Sequence, residues 1–311
     1  MQWVMVRSNG AETAGLVLDG SVHLLESGTR LIDLLGDDGQ RLHEAAHRAT
    51  EDPSDITDYA TSELGPPLVP PQLRDFLTFL GHLKNARGVT DDQLDPGWHQ
   101  IPTFYFSNTA SIVGPRDPVH ISPGAQNFDY ELEVAAIIGR EGSNLHPDEA
   151  EAHIAGYMIF NDWSARDVQR HEQALNLGPA KGKDSASTLG PLFVSADELA
   201  PYRRGNSFGL EMRGYVNGEL LSRGSMDEMN WSFGEMVAYA SRGTRVVPGD
   251  AICSGTVPTG CLLELRNTAA EGHQPSWLQP GDVVRLEIDH LGATEQRVLA
   301  APETPRLRTG F

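Results

Sequence analysis

The segment NFDYELEVAAIIGR, residues 127–140, decides the interpretation of this chain. Residues 134–138 are wholly apolar and predict a buried strand. The strand opens with two acids, Glu131 and Glu133, and residues i and i+2 of a strand point to the same face. Two neighbouring carboxylates repel each other unless a cation or a proton lies between them. A divalent cation such as Mg²⁺ or Ca²⁺, which prefers oxygen ligands, is the simplest solution, although exposure of both acids to solvent is the alternative.

Two further acids occupy comparable places in the sequence. Asp162 ends the apolar run in YMIFNDWSARD, and Asp75 lies in LRDFLTF. Each has a purely structural alternative, because Asp often caps a turn or the first turn of a helix through its side chain. The sequence therefore predicts an acidic site and leaves open which acids belong to it.

The composition is that of an ordinary globular protein, with 311 residues, 39% hydrophobic and 22% charged. The formal net charge of −19 argues against nucleic acid or an anionic membrane as a partner, because both would be repelled. The N-terminus lacks the pattern of a signal peptide, and no apolar stretch reaches 18 residues. We expect a cytoplasmic protein whose two cysteines, Cys253 and Cys261, are free thiols.

The first 64 residues predict a small β-rich unit followed by a helical segment. Two hairpin signals, Asn9-Gly10 and Asp19-Gly20, separate three short strands, and residues 31–50 are typical of a helix. The proline-rich segment GPPLVPPQ, residues 65–72, predicts a linker. We therefore expect a small N-terminal domain at residues 1–66 and a second domain at residues 67–311.

The second domain is predicted to be rich in strands. Apolar residues at helical spacing indicate a helix over residues 73–88, and two further helices are expected near residues 146–157 and 229–241. Most other segments, including LLELRN at residues 262–267, are typical of short strands between Gly and Pro turns. This pattern favours a β-rich barrel or sandwich over a doubly wound parallel sheet.

Candidate basic groups are few. His82 lies seven residues after Asp75, so the two share a face if the segment is helical. Lys181 and Lys183 lie in the loop LGPAKGKDSASTLGP. A structural histidine and solvated lysines are the alternatives. The sequence has neither the P-loop pattern around GKDS nor a GxSxG nucleophile elbow.

Taken together, six segments resemble the fumarylacetoacetate hydrolase superfamily, in order and over roughly residues 70–300. They are RDFLTFLGH, DYELE, NDWSARDVQ, LGPAKGK, SGTVP and GCLLEL. The resemblance implies an α+β, β-rich fold: a mixed β-roll or barrel catalytic domain with a small N-terminal β-rich domain. It also implies a homodimer that takes a small keto-acid substrate.

The resemblance also implies roles for ten side chains. The metal ligands would be Asp75, Glu131, Glu133 and Asp162, and the metal Mg²⁺, Ca²⁺ or Mn²⁺. The catalytic groups would be His82, Glu264 and Lys183, and the substrate contacts Gln169, Thr256 and, as a guess from its closeness to His82, Arg87.

Two departures from the family pattern matter. Ser185 stands where many members have an aromatic residue, two positions after the lysine. Asn85 stands where some members place the carboxylate partner of the histidine, which favours the subgroup whose partner comes from a distant strand, here Glu264. Lys181 stays an alternative to Lys183, because the loop length varies between members.

The activity that the resemblance implies is metal-dependent hydrolysis of a carbon–carbon bond in a β-diketo or 2,4-dioxo acid, similar to fumarylacetoacetate or an acylpyruvate. His82 and Glu264 would activate water, and the metal would hold the substrate and the enolate. Decarboxylation or tautomerisation of 2-oxo acids at the same metal site is the alternative. A non-catalytic, metal-stabilised binding protein is a remote third possibility. In such a protein His82, Glu264 and Lys183 would have no catalytic role.

Overall fold

The computed structural model describes residues 1–8 and 10–308, so Asn9 of the first predicted hairpin turn lies outside the described residues. The strands are β1 (Gln2–Ser8), β2 (Ala11–Leu18), β3 (Ser21–Leu24), β4 (Asp55–Asp58), β5 (Leu64–Gly65), β6 (Leu73–Phe76), β7 (Phe104–Ser107), β8 (Ile112–Val113), β9 (Val119–His120), β10 (Phe128–Asp129), β11 (Leu132–Ile138), β12 (Ile154–Asp162), β13 (Ser164–Ala165), β14 (Ser187–Leu189), β15 (Phe193–Ser195), β16 (Arg203–Arg204), β17 (Ser207–Phe208), β18 (Glu211–Val216), β19 (Glu219–Ser225), β20 (Ala251–Cys253), β21 (Val283–Ile288) and β22 (Gly292–Leu299). The helices are α1 (Gln40–Glu51), α2 (Leu80–Arg87), α3 (Pro147–Ala150), α4 (Arg166–Ala174), α5 (Ala196–Leu199), α6 (Phe233–Ser241) and α7 (Leu262–Thr268).

A 13-stranded mixed sheet forms the centre of the molecule. Its main path runs in the order β4-β3-β2-β1-β15-β12-β11-β20-β6-β7, and a second sheet has the order β19-β18-β21-β22-β9. This confirms the predicted α+β, β-rich class. Within the described residues the large sheet runs from β4 at one edge to β7 at the other, so it is not closed into a barrel.

Strand β11 shows why residues 134–138 are apolar without alternation. Val134, Ala136 and Ile138 pack into one apolar core, whereas Ala135 and Ile137 pack into a second core. Both faces of the strand are therefore buried, and a strand buried on both faces has a continuous apolar run. The predicted strand is confirmed.

The N-terminal strands belong to the same large sheet. Strand β1 pairs with β2 and β5, and it also pairs with β15 through Gln2–Val194 and Trp3–Phe193. In the second predicted hairpin turn, Asp19 and Gly20 have φ of 48° and 82°, as such a turn requires. The division at residues 66 and 67 stays a prediction.

Three predicted elements are wrong in type or extent. The helix expected over residues 31–50 is a 3₁₀ helix at Leu31–Leu34 and α1, which begins after Gly39 in the left-handed conformation (φ 85°). The helix expected over residues 73–88 is strand β6 followed by the shorter helix α2, because β6 is hydrogen-bonded between β20 and β7. The strand expected at residues 262–267 is helix α7.

The other two helices expected after the linker also overlap helices in the structure. Helix α6 lies within the predicted residues 229–241. Near residues 146–157, the helical part is limited to α3 and a 3₁₀ turn at Glu151–His153, and strand β12 follows directly. No helix among the described residues is long and apolar enough to cross a membrane. Both cysteines are free and buried.

Candidate active site

The order of the central strands brings the predicted acids together. Asp162 ends β12, Glu133 lies near the start of the adjacent β11, and Asp75 lies in β6, two strands further along the sheet. In the next strand, Tyr105 lies opposite Asp75. Asp75, Glu131 and Glu133 line one cavity of about 840 Å³, and Asp162 lies beside it through its contacts with Tyr105 and Lys183.

All four predicted metal ligands are buried, and each is at most 4% exposed. Asp75 is therefore not the helix N-cap that the sequence left possible: it lies in a strand, and Phe79 precedes α2. Nor do Asp75 and His82 share a helix face as the sequence suggested, since only His82 is helical. They approach the same cavity from a strand and from the helix that follows it.

Two buried cations contact these acids. Lys183 donates hydrogen bonds to Glu131 and to Asp162 Oδ2, the latter at 2.5 Å. Arg166 Nη2 lies 2.8 Å from Glu131 Oε1, and Arg166 Nε donates to Asp129 Oδ2 at 2.8 Å. Both cations are shared between acids, so the cluster keeps an excess of negative charge.

The acids respond to this environment in two ways. Burial raises the pKa of Glu131, but the charges of Arg166 and Lys183 outweigh burial, and its pKa lies below its usual range. Burial and the neighbouring Asp75 carboxylate raise the pKa of Glu133 well above its usual range. Glu131 is thus matched with cations within the chain, whereas Glu133 is not.

Unpaired oxygen atoms show where a cation would fit. Asp75 Oδ1, Glu133 Oε2 and Asp162 Oδ1 are buried and have no hydrogen-bond partner among the described residues. A buried polar atom without a partner costs free energy, and a divalent cation would satisfy such carboxylate oxygens directly. Glu131 has both oxygens in contact with Lys183 or Arg166, but each carboxylate oxygen keeps a further lone pair. The donor set fits a hard divalent cation.

Tyr105, which the sequence analysis missed, lies inside this acidic cluster. Its hydroxyl lies 2.6 Å from Asp75 Oδ2 and 2.5 Å from Asp162 Oδ2. Burial and the charge of Asp162 raise the pKa of Tyr105 well above its usual range, so the hydroxyl stays a proton donor. No local motif marks Tyr105, and only its register opposite Asp75 places it here.

Asp129 and Arg166 were also missed, although a sequence signal existed for both. Asp129 precedes Glu131 by two residues, as Glu131 precedes Glu133, and Arg166 lies in the quoted segment NDWSARDVQ. Asp129 accepts hydrogen bonds from the backbone N–H groups of Leu262 and Leu263 at the start of α7. The ion pair with Arg166 therefore joins α7 to α4.

A histidine–carboxylate pair forms the second part of the site. His82 Nδ1 lies 2.7 Å from Glu264 Oε1, and both residues are buried. Asn85 Nδ2 and the backbone N–H of Thr259 donate to Glu264 Oε2 at 3.0 and 2.9 Å. Because the ionised carboxylate only accepts, the proton of a neutral imidazole lies on Nδ1, and Nε2 is left as a base.

The carboxylate partner of His82 comes from a helix and not from the predicted strand. Cys261 caps α7 and Glu264 lies in its first turn. Donor atoms of His82, Cys261 and Glu264 lie within 4.8 Å of one another, a spacing that a metal ion also requires. Cys261 Sγ lies 3.6 Å from Glu264 Oε1, and burial raises the pKa of the thiol well above its usual range, so the neutral thiol donates a weak hydrogen bond to this carboxylate.

The remaining predicted residues also lie at the cavity. Gln169, Thr256 and Arg87 line it, although Thr256 Oγ1 donates to Glu133 Oε1 at 3.1 Å and Gln169 Oε1 accepts from Arg166 at 3.3 Å. Lys183 is buried in the cavity wall. Lys181, the alternative lysine, is 70% exposed and pairs with Asp184. The geometry thus favours Lys183 over Lys181.

Comparison with known proteins gives a family. The family profile described as fumarylacetoacetate (FAA) hydrolase C-terminal matches residues 73–299. The chain belongs to this family. The crystal structure of a fumarylacetoacetate hydrolase from Exiguobacterium antarcticum superposes with a TM-score of 0.74 and 27% identity, and the match covers 96% of this chain and 99% of that one. The predicted superfamily is confirmed.

Curated relatives in the family differ in their reactions. A mitochondrial oxaloacetate tautomerase of Xenopus laevis is 33% identical over 198 residues, which are 64% of this chain and 58% of that protein. A 2,4-didehydro-3-deoxy-L-rhamnonate hydrolase of a Sphingomonas species is 30% identical over 199 residues, 63% of this chain and 65% of that protein. The chain spans less than two thirds of the length of these relatives. The family therefore contains enzymes, and both hydrolases and tautomerases occur among them.

Proposed function

We propose that the chain is a divalent-metal-dependent hydrolase that cleaves a carbon–carbon bond in a 2,4-dioxo or β-diketo acid. The observation that carries this proposal is the buried contact of 2.7 Å between His82 Nδ1 and Glu264 Oε1 at a cavity that also contains the acidic cluster. A base oriented by a carboxylate is what activation of water requires.

Asp75, Glu131, Glu133 and Asp162 would hold the metal, for which we propose Mg²⁺. When bound, the ion supplies a template for two substrate oxygens and Lewis-acid polarisation of a carbonyl group. The unpaired oxygens of three of these acids support this assignment. The fourth, Glu131, positions Lys183 and Arg166 as well.

The chain's own residues supply the proton transfers. His82 Nε2 removes a proton from water as the water oxygen bonds to the carbonyl carbon, and Glu264 stabilises the imidazolium that forms. The carbon–carbon bond then breaks, and its electron pair becomes an enolate on the leaving fragment. Lys183 stabilises the developing negative charge. The imidazolium returns its proton to the enolate carbon, which gives one carboxylic acid and one ketone or 2-oxo acid.

A second candidate is tautomerisation of a 2-oxo acid, which needs no attack by water. The observation that favours it is the 33% identity to an oxaloacetate tautomerase. His82 with Glu264 supplies the oriented base that hydrolysis needs, and the same base can remove a proton from carbon in a tautomerisation, so product analysis separates the two reactions. The homodimer and the cytoplasmic location stay predictions.

The test is turnover of a panel of 2,4-dioxo acids and oxaloacetate by the wild type and by His82→Ala, with and without Mg²⁺. We expect two acid fragments by mass spectrometry only with Mg²⁺, and a loss of about 10²–10⁴ in kcat for His82→Ala. His153→Ala is the matched control, because His153 is equally buried, at 8% against 7%, but lies outside this cavity. An isomer of unchanged mass as the only product, or full activity in His82→Ala, would contradict the proposal.

A further inference from the structure

Two arginines in the cavity wall have no acidic partner. Arg87 and Arg170 line the cavity, and among residues 1–8 and 10–308 neither forms an ion pair or a side-chain hydrogen bond with an acid. The other cavity cations, Arg166 and Lys183, are both paired with buried carboxylates. Two guanidinium groups at one cavity without an acidic partner among the described residues favour the approach of an anion that is not part of the protein.

Each arginine follows a buried cavity residue on the same helix. Arg87 follows the buried His82 by five residues on α2, or about 7.5 Å along the helix axis. Arg170 follows the buried Arg166 by four residues on α4, or about 6 Å. His82 and Arg166 are buried and Arg87 and Arg170 are exposed, so each helix carries one buried and one exposed cavity residue.

The Arg87 side chain is held in place by the aromatic ring of Trp98. Its guanidinium carbon lies 5.2 Å from the centre of the Trp98 ring, and Trp98 lines the same cavity. Stacking on an aromatic face leaves the N–H edges of a guanidinium free, and those edges match the two oxygens of a carboxylate. The nearby acid on α4, Glu172, is occupied, since it accepts from the backbone N–H groups of Ala180 and Gly182.

From these observations we propose that Arg87 and Arg170 bind a second carboxylate at the far end of the substrate, and thereby select dicarboxylic acids. This inference rests on the proposed function and narrows its substrate class to 2-oxo acids with a distal carboxylate. With its cation bound, the acidic cluster would take the 2-oxo end, and Arg87 and Arg170, which line the same cavity, would take the other end. The distal carboxylate takes no part in bond making or breaking. Arg87 and Arg170 are therefore specificity-determining residues.

The test separates binding from turnover. Calorimetric titration in Mg²⁺ would compare 2-oxoadipate with 2-oxohexanoate, which have equal chain length and differ in a distal carboxylate. Neither contains a second keto group, so neither can undergo the proposed cleavage. We expect the wild type to bind the diacid at least about tenfold more tightly, because hydrogen bonds to charged groups contribute that much or more. Raising the ionic strength should reduce the ratio.

Variants then identify the responsible residues. Arg170→Gln and Arg87→Gln should each lower the ratio of the two Kd values by several-fold, and the double variant should bring it close to one. Lys84→Gln is the control, because Lys84 lies on α2 but pairs with Asp91 and does not line the cavity. An equal loss of affinity for both acids in the arginine variants, or no preference in the wild type, would overturn the inference. Absence of hydrolysis in the dioxo-acid panel would overturn the proposed function alone.

Discussion

Asp129 and Glu133 lie four residues apart in one segment and are equally buried, but their surroundings differ. Asp129 Oδ1 accepts from the N–H groups of Tyr130 and Leu262, and Oδ2 accepts from Leu263 and Arg166. Glu133 has one hydroxyl donor, Thr256, and one oxygen with no hydrogen-bond partner among the described residues. Asp129, fully paired within the chain, joins α7 to α4, whereas Glu133 keeps a buried oxygen that a metal ion could use.

The largest stability effect should come from Asp129→Ala. The substitution would leave Arg166 and the first N–H groups of α7 buried without their acceptor. Removing one partner of a buried ion pair typically costs about 3–5 kcal/mol of unfolding free energy. Urea unfolding of the wild type and the variant, with and without Mg²⁺, measures this loss of unfolding free energy. A loss below about 1 kcal/mol, or a loss that Mg²⁺ restores, would show that Asp129 is a ligand acid and would break the comparison.

Glu133→Gln should leave the stability of the metal-free protein intact and remove its stabilisation by Mg²⁺. Without metal, the variant should be at least as stable as the wild type, because a like charge beside Asp75 is removed. The stabilisation that Mg²⁺ gives the wild type, about 2.7 kcal/mol at a concentration 100-fold above Kd, should be lost. Thermal unfolding over a Mg²⁺ series measures this difference. A variant that keeps the full response to Mg²⁺ would remove Glu133 from the ligand set.

The smallest effect is expected at a third, partly exposed acid. Asp117 accepts from Arg7 at 2.6 and 3.0 Å and from the backbone N–H of Gly114, with 28% of its side chain exposed. Burial raises the pKa of Asp117, but the hydrogen bonds from Arg7 and from the Gly114 N–H, together with the charge of Arg7, outweigh burial, and the pKa falls below the usual value of 3.8. Because solvent screens the pair, Asp117→Asn should cost about 1 kcal/mol or less at pH 7.

The pH dependence of that cost follows from the sign of the shift. A lowered folded-state pKa stabilises the protein fully above the unfolded-state value near 3.9, and the contribution disappears as the pH falls through the lower, folded-state pKa. Stability curves of the wild type and Asp117→Asn should therefore converge below about pH 4. Curves that stay parallel down to acid pH would show that the charge of Asp117 contributes nothing. Asp117→Asn should keep the full response to Mg²⁺, and so it also serves as the control for Glu133→Gln.

Local sequence was sufficient where one element decides the outcome. The apolar residues 134–138 predicted a strand buried on both faces, and β11 confirms it; Glu133 lies in this strand and Glu131 directly precedes it. The Asp19-Gly20 pair predicts a hairpin turn, because such a turn requires positive φ at both residues, and both have it in the structure. The acidic character of the site was therefore readable from a few residues.

Local sequence failed where neighbours in space decided the structure. Residues 73–76 have helical spacing, but hydrogen bonds to β20 and β7 hold them in a strand. LLELRN is apolar enough for a strand, yet Asp129 accepts the first N–H groups of its helix from more than 130 residues away. Propensity is a weak guide in such segments, because tertiary contacts outweigh it.

The sequence by itself predicted an acidic site, free thiols and a strand-rich fold. It determined the family through six segments in order. Only the tertiary structure decided that Tyr105 and Arg166 contact the predicted acids, that Lys183 and not Lys181 reaches them, and that Arg87 and Arg170 have no acidic partner within residues 1–8 and 10–308. The reason is physical: burial and charge pairing depend on contacts between segments far apart in the chain, and sequence spacing does not encode those contacts.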